Sequence, residues 1–361
     1  MIESQTRAIL DATTVLPDKA RFFSGEPFAR EAMRDLVELA GEVRARDLLL
    51  THGTMLIKAE SIALRVVERI EERIRAAGFT PVVAHPLRLD RKDIRLLWLY
   101  VLNGATLERL DLLDLFKPAA TSILLVCRDD RMQRDAIPAA VRLQRLKGST
   151  MPAQREPGQI RFGLGPNNRL LNFVHAADEP ADVLRELGLL FDRPARRALI
   201  GGLLQGEDTG EALQQVRRQA YAECPAHDLE PVPALERLCR GVARLDPPAL
   251  AAAALTQLDG LLTRAPADAE RAWREAHALL WPHAGELGLW DYVVVGSSVC
   301  EHDPAGAIRV LPDPVHGRWD EAWLQRSAPA ASPAVGSAGH DRFEDAKAQP
   351  VELGQGADRK G

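Results

Sequence analysis

The sequence predicts an α/β (α+β) domain followed by a mainly α-helical one, and three observations carry that reading. Between residues 47 and 193, short apolar runs of strand length alternate with stretches whose apolar residues recur at helical spacing. Beyond Asp192 the pattern becomes almost purely helical, with prolines marking three of the helix starts. The chain has 361 residues, 46% of them hydrophobic, which is enough to bury two ordinary cores.

The elements follow in order. Glu26 to Val43 places Phe28, Met33, Leu36, Val37 and Leu39 on one helical face, so residues 1–46 read as an N-terminal helical extension. Asp47 to Lys58, with Leu48-Leu49-Leu50 and Thr54-Met55-Leu56-Ile57, reads as a buried strand. Ile62 to Ala77 is an amphipathic helix closed by Gly78. Thr80 to Leu87 reads as a second strand, Asp90 to Leu115 as helices around the Asn103-Gly104 break, and Ala120 to Cys127 as a third strand. Ile137 to Lys147 is a short helix carrying Arg142, Arg145 and Lys147. A loop rich in Gly and Pro then leads to a short strand, Leu170 to His175, and Pro180 starts the helix Ala181 to Leu190. In residues 194–326, Arg196 to Ala222, Pro233 to Leu245, Pro248 to Arg264 and Pro266 to Trp281 predict a four-helix-type domain. Trp290 to Ser297 and Gly306 to Leu311 read as a terminal hairpin. Residues 327–361, rich in Ala, Pro, Ser, Gly and charge, are expected to be disordered.

Composition narrows the function. The net charge is −5 and the basic residues are spread among acids, which argues against a nucleic-acid partner. No apolar run reaches the length of a membrane span, and the polar start Met1-Ile2-Glu3-Ser4-Gln5 does not read as a secretion signal, so a cytoplasmic protein is expected. Cys127, Cys224, Cys239 and Cys300 lack CxxC pairing and read as reduced thiols. Cys224-x-x-His227 and Cys300-Glu301-His302 are not backed by a second paired motif, and no protein-held metal is expected from them or from His277 and His283. Tryptophans 273, 281, 290, 319 and 323 concentrate in the C-terminal half, where burial is their expected role.

The chemistry-bearing pattern lies between Lys58 and Glu186. Asn172-Phe173-Val174-His175-Ala176-Ala177-Asp178 places an imidazole at a strand end, and Glu186 follows on a helix as the acceptor that would fix its tautomer. Upstream lie Gly148-Ser149-Thr150-Met151-Pro152 and Pro157-Gly158-Gln159-Ile160-Arg161. In this order the motifs resemble the nucleoside diphosphate kinase family, whose hallmark is an Asn-x-x-His-Gly-Ser-Asp string preceded by Gly-x-Thr-x-Pro and Pro-Gly-x-Ile-Arg. The resemblance implies a ferredoxin-like βαββαβ core.

It further implies that His175 is the phosphorylated histidine and Glu186 the acid that orients it. Lys58, Thr150, Arg161 and Asn172 would contact the nucleotide's sugar and phosphates, with ATP as donor and Mg²⁺ carried on the phosphates. Departures are visible. Ala59-Glu60 replaces Pro-Asp after Lys58. Gln144 stands where the family has a further arginine, leaving Arg145 or Arg142 for that contact. Ala176-Ala177 replaces Gly-Ser, deleting a hydroxyl. The base-stacking aromatic has no match in Asp90 to Gly104. The expected function is therefore γ-phosphoryl transfer from ATP through His175 to a nucleoside diphosphate or other small molecule. The alternative is a weak or inactive nucleotide-binding module serving as sensor or scaffold. The C-terminal domain is the expected surface for a homo-oligomer or protein partner.

Overall fold

The computed structural model describes residues 2–131, 137–166, 168–312 and 319–320, so the expected disordered tail lies outside the described residues. Four helices open the chain, α1 (Ile2–Thr13), α2 (Pro17–Gly25), α3 (Pro27–Ala40) and α4 (Glu42–Thr51). The Leu48-Leu49-Leu50 triplet falls on α4 and not on the first strand, which begins only at His52. A short, fully buried apolar run fits either element, and here it lies in a stretch with no turn residue to stop the helix.

The sheet domain then runs β1 (His52–Ile57), α5 (Ala59–Ala63), α6 (Val67–Ala76), β2 (Phe79–Leu87), α7 (Arg91–Leu97), α8 (Leu99–Leu102), α9 (Leu107–Phe116), β3 (Ser122–Asp129), α10 (Ala139–Lys147), β4 (Val174–Ala176) and α11 (Pro180–Leu190). The expected single helix from Ile62 to Ala77 is two, broken at Arg65, whose φ of 61° lies in the left-handed region. The strands lie in the order β2-β3-β1-β4, every pair antiparallel. This is the βαββαβ arrangement, with helices α7 to α9 inserted between β2 and β3. Central β1 is buried at every residue.

Beyond the sheet, the expected helix from Arg196 to Ala222 is also two, α12 (Arg193–Gln205) and α13 (Gly210–Glu223). Gly206, at φ 67°, caps α12 through its N–H on the Gly202 carbonyl and turns the chain. These two helices pack on β2, with α12 also on α3. The helical bundle proper is α14 (Pro231–Val242), α15 (Pro248–Leu258), α16 (Pro266–Leu280) and α17 (Leu289–Val299). The expected hairpin is therefore corrected: Trp290 to Ser297 lies in α17, and Gly306 to Leu311 holds no strand. Tyr292 to Val295 are buried one after another, so a helix enclosed all round produced the continuous apolar run of a buried strand. Helix α17 packs against α9, which joins the bundle to the sheet domain. Among the described residues, no helix is long and apolar enough to cross a membrane.

Candidate active site

Strand β4 sets His175 opposite Leu56 of β1. Helix α11, started by Pro180, returns behind the strand and places the Glu186 carboxylate 2.7 Å from His175 Nε2. Thr54 on β1 donates its hydroxyl to the other Glu186 oxygen, so the carboxylate is held from two sides. An ionised carboxylate only accepts, so Nε2 carries the hydrogen and Nδ1 keeps its lone pair. The indole N–H of Trp98 approaches Nδ1 at 3.4 Å, with the two rings edge to face. His175 and Trp98 both line the large cavity, and with Glu186 they also line a smaller pocket behind it.

The backbone before the histidine is strained. Phe173 has φ 68°, rare for a bulky residue, and is fixed on both sides. Its carbonyl accepts from the Lys58 N–H and the Ser61 hydroxyl, and its own N–H donates to Glu60.

The cavity measures about 680 Å³, and its wall near His175 carries Lys58, Lys117, Lys147, Arg161, Asn172 and Asp178. Glu60 is the anion that makes this tolerable. Its carboxylate lies 2.7 Å from Lys58 Nζ and 3.2 Å from Lys117 Nζ. Burial alone would raise the Glu60 pKa, but the two lysines outweigh it and hold it at about 2. Burial pushes the Lys58 ammonium well below its ordinary range and lowers Lys117, with Glu60 opposing both shifts. Asp178, 3.3 Å from Lys147, is treated likewise: burial raises it, and Lys147, Lys19 and His175 bring it to about 2.

All seven residues singled out in the sequence converge here. Lys58, Arg145, Thr150, Arg161, Asn172 and His175 line the cavity, with Glu186 behind the histidine. Their engagement differs from the expectation. Arg161 spends its fork on the protein: Nε donates to the Asn172 carbonyl, Nη1 to that of Gly148, and Nη2 to Asn172 Oδ1 and the Val174 carbonyl. Burial and Arg155 lower its pKa to about 9, which leaves the guanidinium charged at neutral pH. Arg161 thus supplies field and clamps the loop onto β4. Lys58 donates to Asn172 Oδ1 at 2.5 Å. Arg145 pairs with Asp320 at 3.1 Å. Thr150 stands exposed on the loop.

Sequence reasoning missed Glu60, Lys117, Lys147 and Trp98. Glu60 stood at a departure from the family string, and a carboxylate two residues after a strand-end lysine was the available signal. Lys117 and Trp98 sit in the helical insertion, where no motif marked them. Of the cysteine–histidine spacings, His227 is engaged instead with Asp291 at 2.9 Å and with Arg237.

The class so defined is an antiparallel α+β sheet domain with a carboxylate-anchored histidine on the wall of a cation-lined cavity. Residues 52–195 match the family described as nucleoside diphosphate kinase, and the chain carries a domain of that family. Similar solved structures include a nucleoside diphosphate kinase from Encephalitozoon cuniculi, at 18% identity over 38% of this chain and 87% of that one, TM-score 0.33. Another is the enzyme from Halobacterium salinarum in complex with CDP, at 20% identity over 40% and 88%, TM-score 0.31. A third is that from Borrelia burgdorferi, a transition state mimic with bound vanadate and ADP, at 17% identity over 41% and 90%, TM-score 0.32. No curated protein matches the chain.

Proposed function

We propose that the chain is a nucleoside diphosphate kinase-like phosphotransferase, moving the γ-phosphate of ATP through a phosphohistidine at His175 to a nucleoside diphosphate or another small acceptor. The observation that supports this most is the His175–Glu186 pair at 2.7 Å, which leaves the Nδ1 lone pair, approached by the Trp98 indole N–H, on a histidine that lines a cationic cavity. In this reading Nδ1 attacks the γ-phosphorus, a P–N bond forms, and the bond to the β–γ bridging oxygen breaks with its electron pair leaving on ADP. Glu186 keeps the Nε2 proton and stabilises the ring as it gains positive character. An acceptor oxygen then attacks the phosphorus, its proton is released, and Nδ1 recovers its pair. Lys117, Lys147 and Arg161 supply positive field to the phosphate oxygens throughout. Mg²⁺ carried on the nucleotide phosphates would add charge neutralisation when bound. The lining suits an ion that arrives this way: Glu156 and Asp178 are the carboxylates on the wall, and no group of three or more His, Cys, Asp or Glu among the described residues forms a metal cage.

A second reading, a weak or inactive nucleotide-binding module acting as sensor or scaffold, is favoured by one observation: Arg161 directs four of its five N–H donors to carbonyl oxygens of the chain, the Asn172 side chain included. Incubation with γ-labelled ATP separates the two. Acid-labile label that disappears in His175→Ala supports transfer; nucleotide binding without label at any Mg²⁺ concentration supports the module.

A further inference from the structure

Helices α1 to α4 lie ahead of residue 52, where the kinase-like domain begins, and the proposed transfer assigns them no task. One of their side chains reaches the supports of the histidine. Glu26 stands at the corner between α2 and α3, where its own N–H caps α2 on the Phe23 carbonyl and Pro27 starts α3, so its backbone has little freedom. Both carboxylate oxygens are used. Oε1 accepts from the Tyr100 hydroxyl on α8, and Oε2 accepts from Arg185 Nε on α11 at 2.6 Å. The ion pair is enclosed, with 4% of the Arg185 side chain and 13% of the Glu26 side chain exposed.

Each of these contacts lies beside a residue that holds His175. On α11, Arg185 immediately precedes Glu186, and successive helical side chains point about 100° apart, so one turns to the extension while the other turns to the sheet. On the other side, Tyr100 lies two residues after Trp98, and Arg185 Nη2 donates to the Leu96 carbonyl, two residues before it, at 2.9 Å. That carbonyl also takes the backbone N–H of Trp98. Phe22 and Phe23 of α2 pack on the Tyr100 ring, with centroids 5.4 and 6.0 Å apart. The Arg185 guanidinium lies over the rings of Phe23 and Tyr100 at 5.2 and 5.4 Å. The joint between α7 and α8 is therefore gripped on both sides of Trp98, and one carboxylate anchors the grip. The imidazole has a partner at each nitrogen, Glu186 at Nε2 and Trp98 at Nδ1. Both partners lie within two residues of a group bound by Glu26.

We infer that the N-terminal extension is a working part of the site, with Glu26 as a positioning residue that aims the His175 imidazole through Glu186 and Trp98. The inference rests on the proposed function for the purpose of that aim, and goes beyond it by giving the residues before the kinase-like domain a task. Glu26 does not line the cavity. Its loss should change how the ring is held and how fast it reacts, and not how tightly nucleotide binds.

The test uses three variants of the full chain. Glu26→Gln leaves Tyr100 an acceptor and takes from Arg185 its counter-charge, Glu26→Ala removes both contacts, and Tyr100→Phe removes one hydroxyl only. Leu10→Ala, in α1, which makes none of these contacts, is the control for loosening the extension. In ¹⁵N NMR of histidine-labelled protein, the His175 ring signals, assigned by their loss in His175→Ala, should shift in Glu26→Ala and in Tyr100→Phe and stay in place in Leu10→Ala. Single-turnover transfer from saturating γ-labelled ATP should slow about tenfold in Glu26→Ala and less in Glu26→Gln, with ATP affinity within about twofold of wild type. Tyr100→Phe should add little to Glu26→Ala, because the contact it removes is already gone. Ring signals that stay in place, or that move as far in Leu10→Ala, overturn the inference, as does a loss confined to ATP affinity. If the wild type takes no label while its ring signals respond to the Glu26 variants and not to Leu10→Ala, the positioning stands and the kinase reading falls.

Discussion

At Glu60 one carboxylate receives two buried ammonium groups and the backbone N–H of a strained residue, so its loss would be felt in stability before chemistry. Glu60→Gln leaves Lys58 and Lys117 buried without their counter-charge and should cost about 3–5 kcal/mol, read by chemical denaturation. The pH dependence follows from the same group. Its pKa falls from 4.5 to about 2 on folding, so the stability it provides is complete above about pH 4.5 and is lost as pH drops toward 2. Acid titration of the wild type should show that slope, and Glu60→Gln should flatten it. Glu186 has a different task, because it fixes which nitrogen of His175 is nucleophilic. Glu186→Gln can present its amide hydrogens to Nε2 and favour the wrong tautomer, so phosphorylation by ATP should slow by about 10²–10⁴-fold with the fold intact. A Gln variant as fast as wild type would deny Glu186 that role.

Between elements, the closest approach behind the site is that of α11 to α3. A Cβ at Gly188 would lie 1.9 Å from the Phe28 carbonyl oxygen, so the N-terminal helices can seat on the glutamate-bearing helix only because this position is glycine. Gly188→Ala should destabilise by about 1–3 kcal/mol or more, measured as a lowered midpoint of thermal unfolding; an unchanged midpoint would mean that the helices part without cost. Nothing in the sequence marked Gly188, since a close contact between distant segments leaves no periodicity. What was legible had a local cause. The strands Thr80 to Leu87 and Ala120 to Cys127, the proline-started helices, and the ordered motifs from Lys58 to Glu186 were read from spacing and chain order. The Leu48 to Leu50 triplet and the Val293 to Val295 run were misassigned because full burial erases the difference between period 2 and period 3.6.

For the whole molecule, packing makes helices α12 and α13 part of the sheet's cover, although the helical period begins at residue 194. A chain shortened to residues 1–192 exposes the face of β2 they occupy and should aggregate more than one shortened to residues 1–230, as read by the monomer fraction in size-exclusion chromatography. The reverse order would mean that the bundle, and not these two helices, protects the sheet. The proposed transfer rests on one nitrogen, Nδ1 of His175. Mass spectrometry of the protein after brief exposure to Mg·ATP, with fragmentation under neutral conditions, tests it most directly. One added phosphoryl group is expected on His175, lost in acid, discharged by a competent acceptor, and absent from His175→Ala. An unmodified chain, or a phosphoryl group on another residue that persists in His175→Ala, would contradict it.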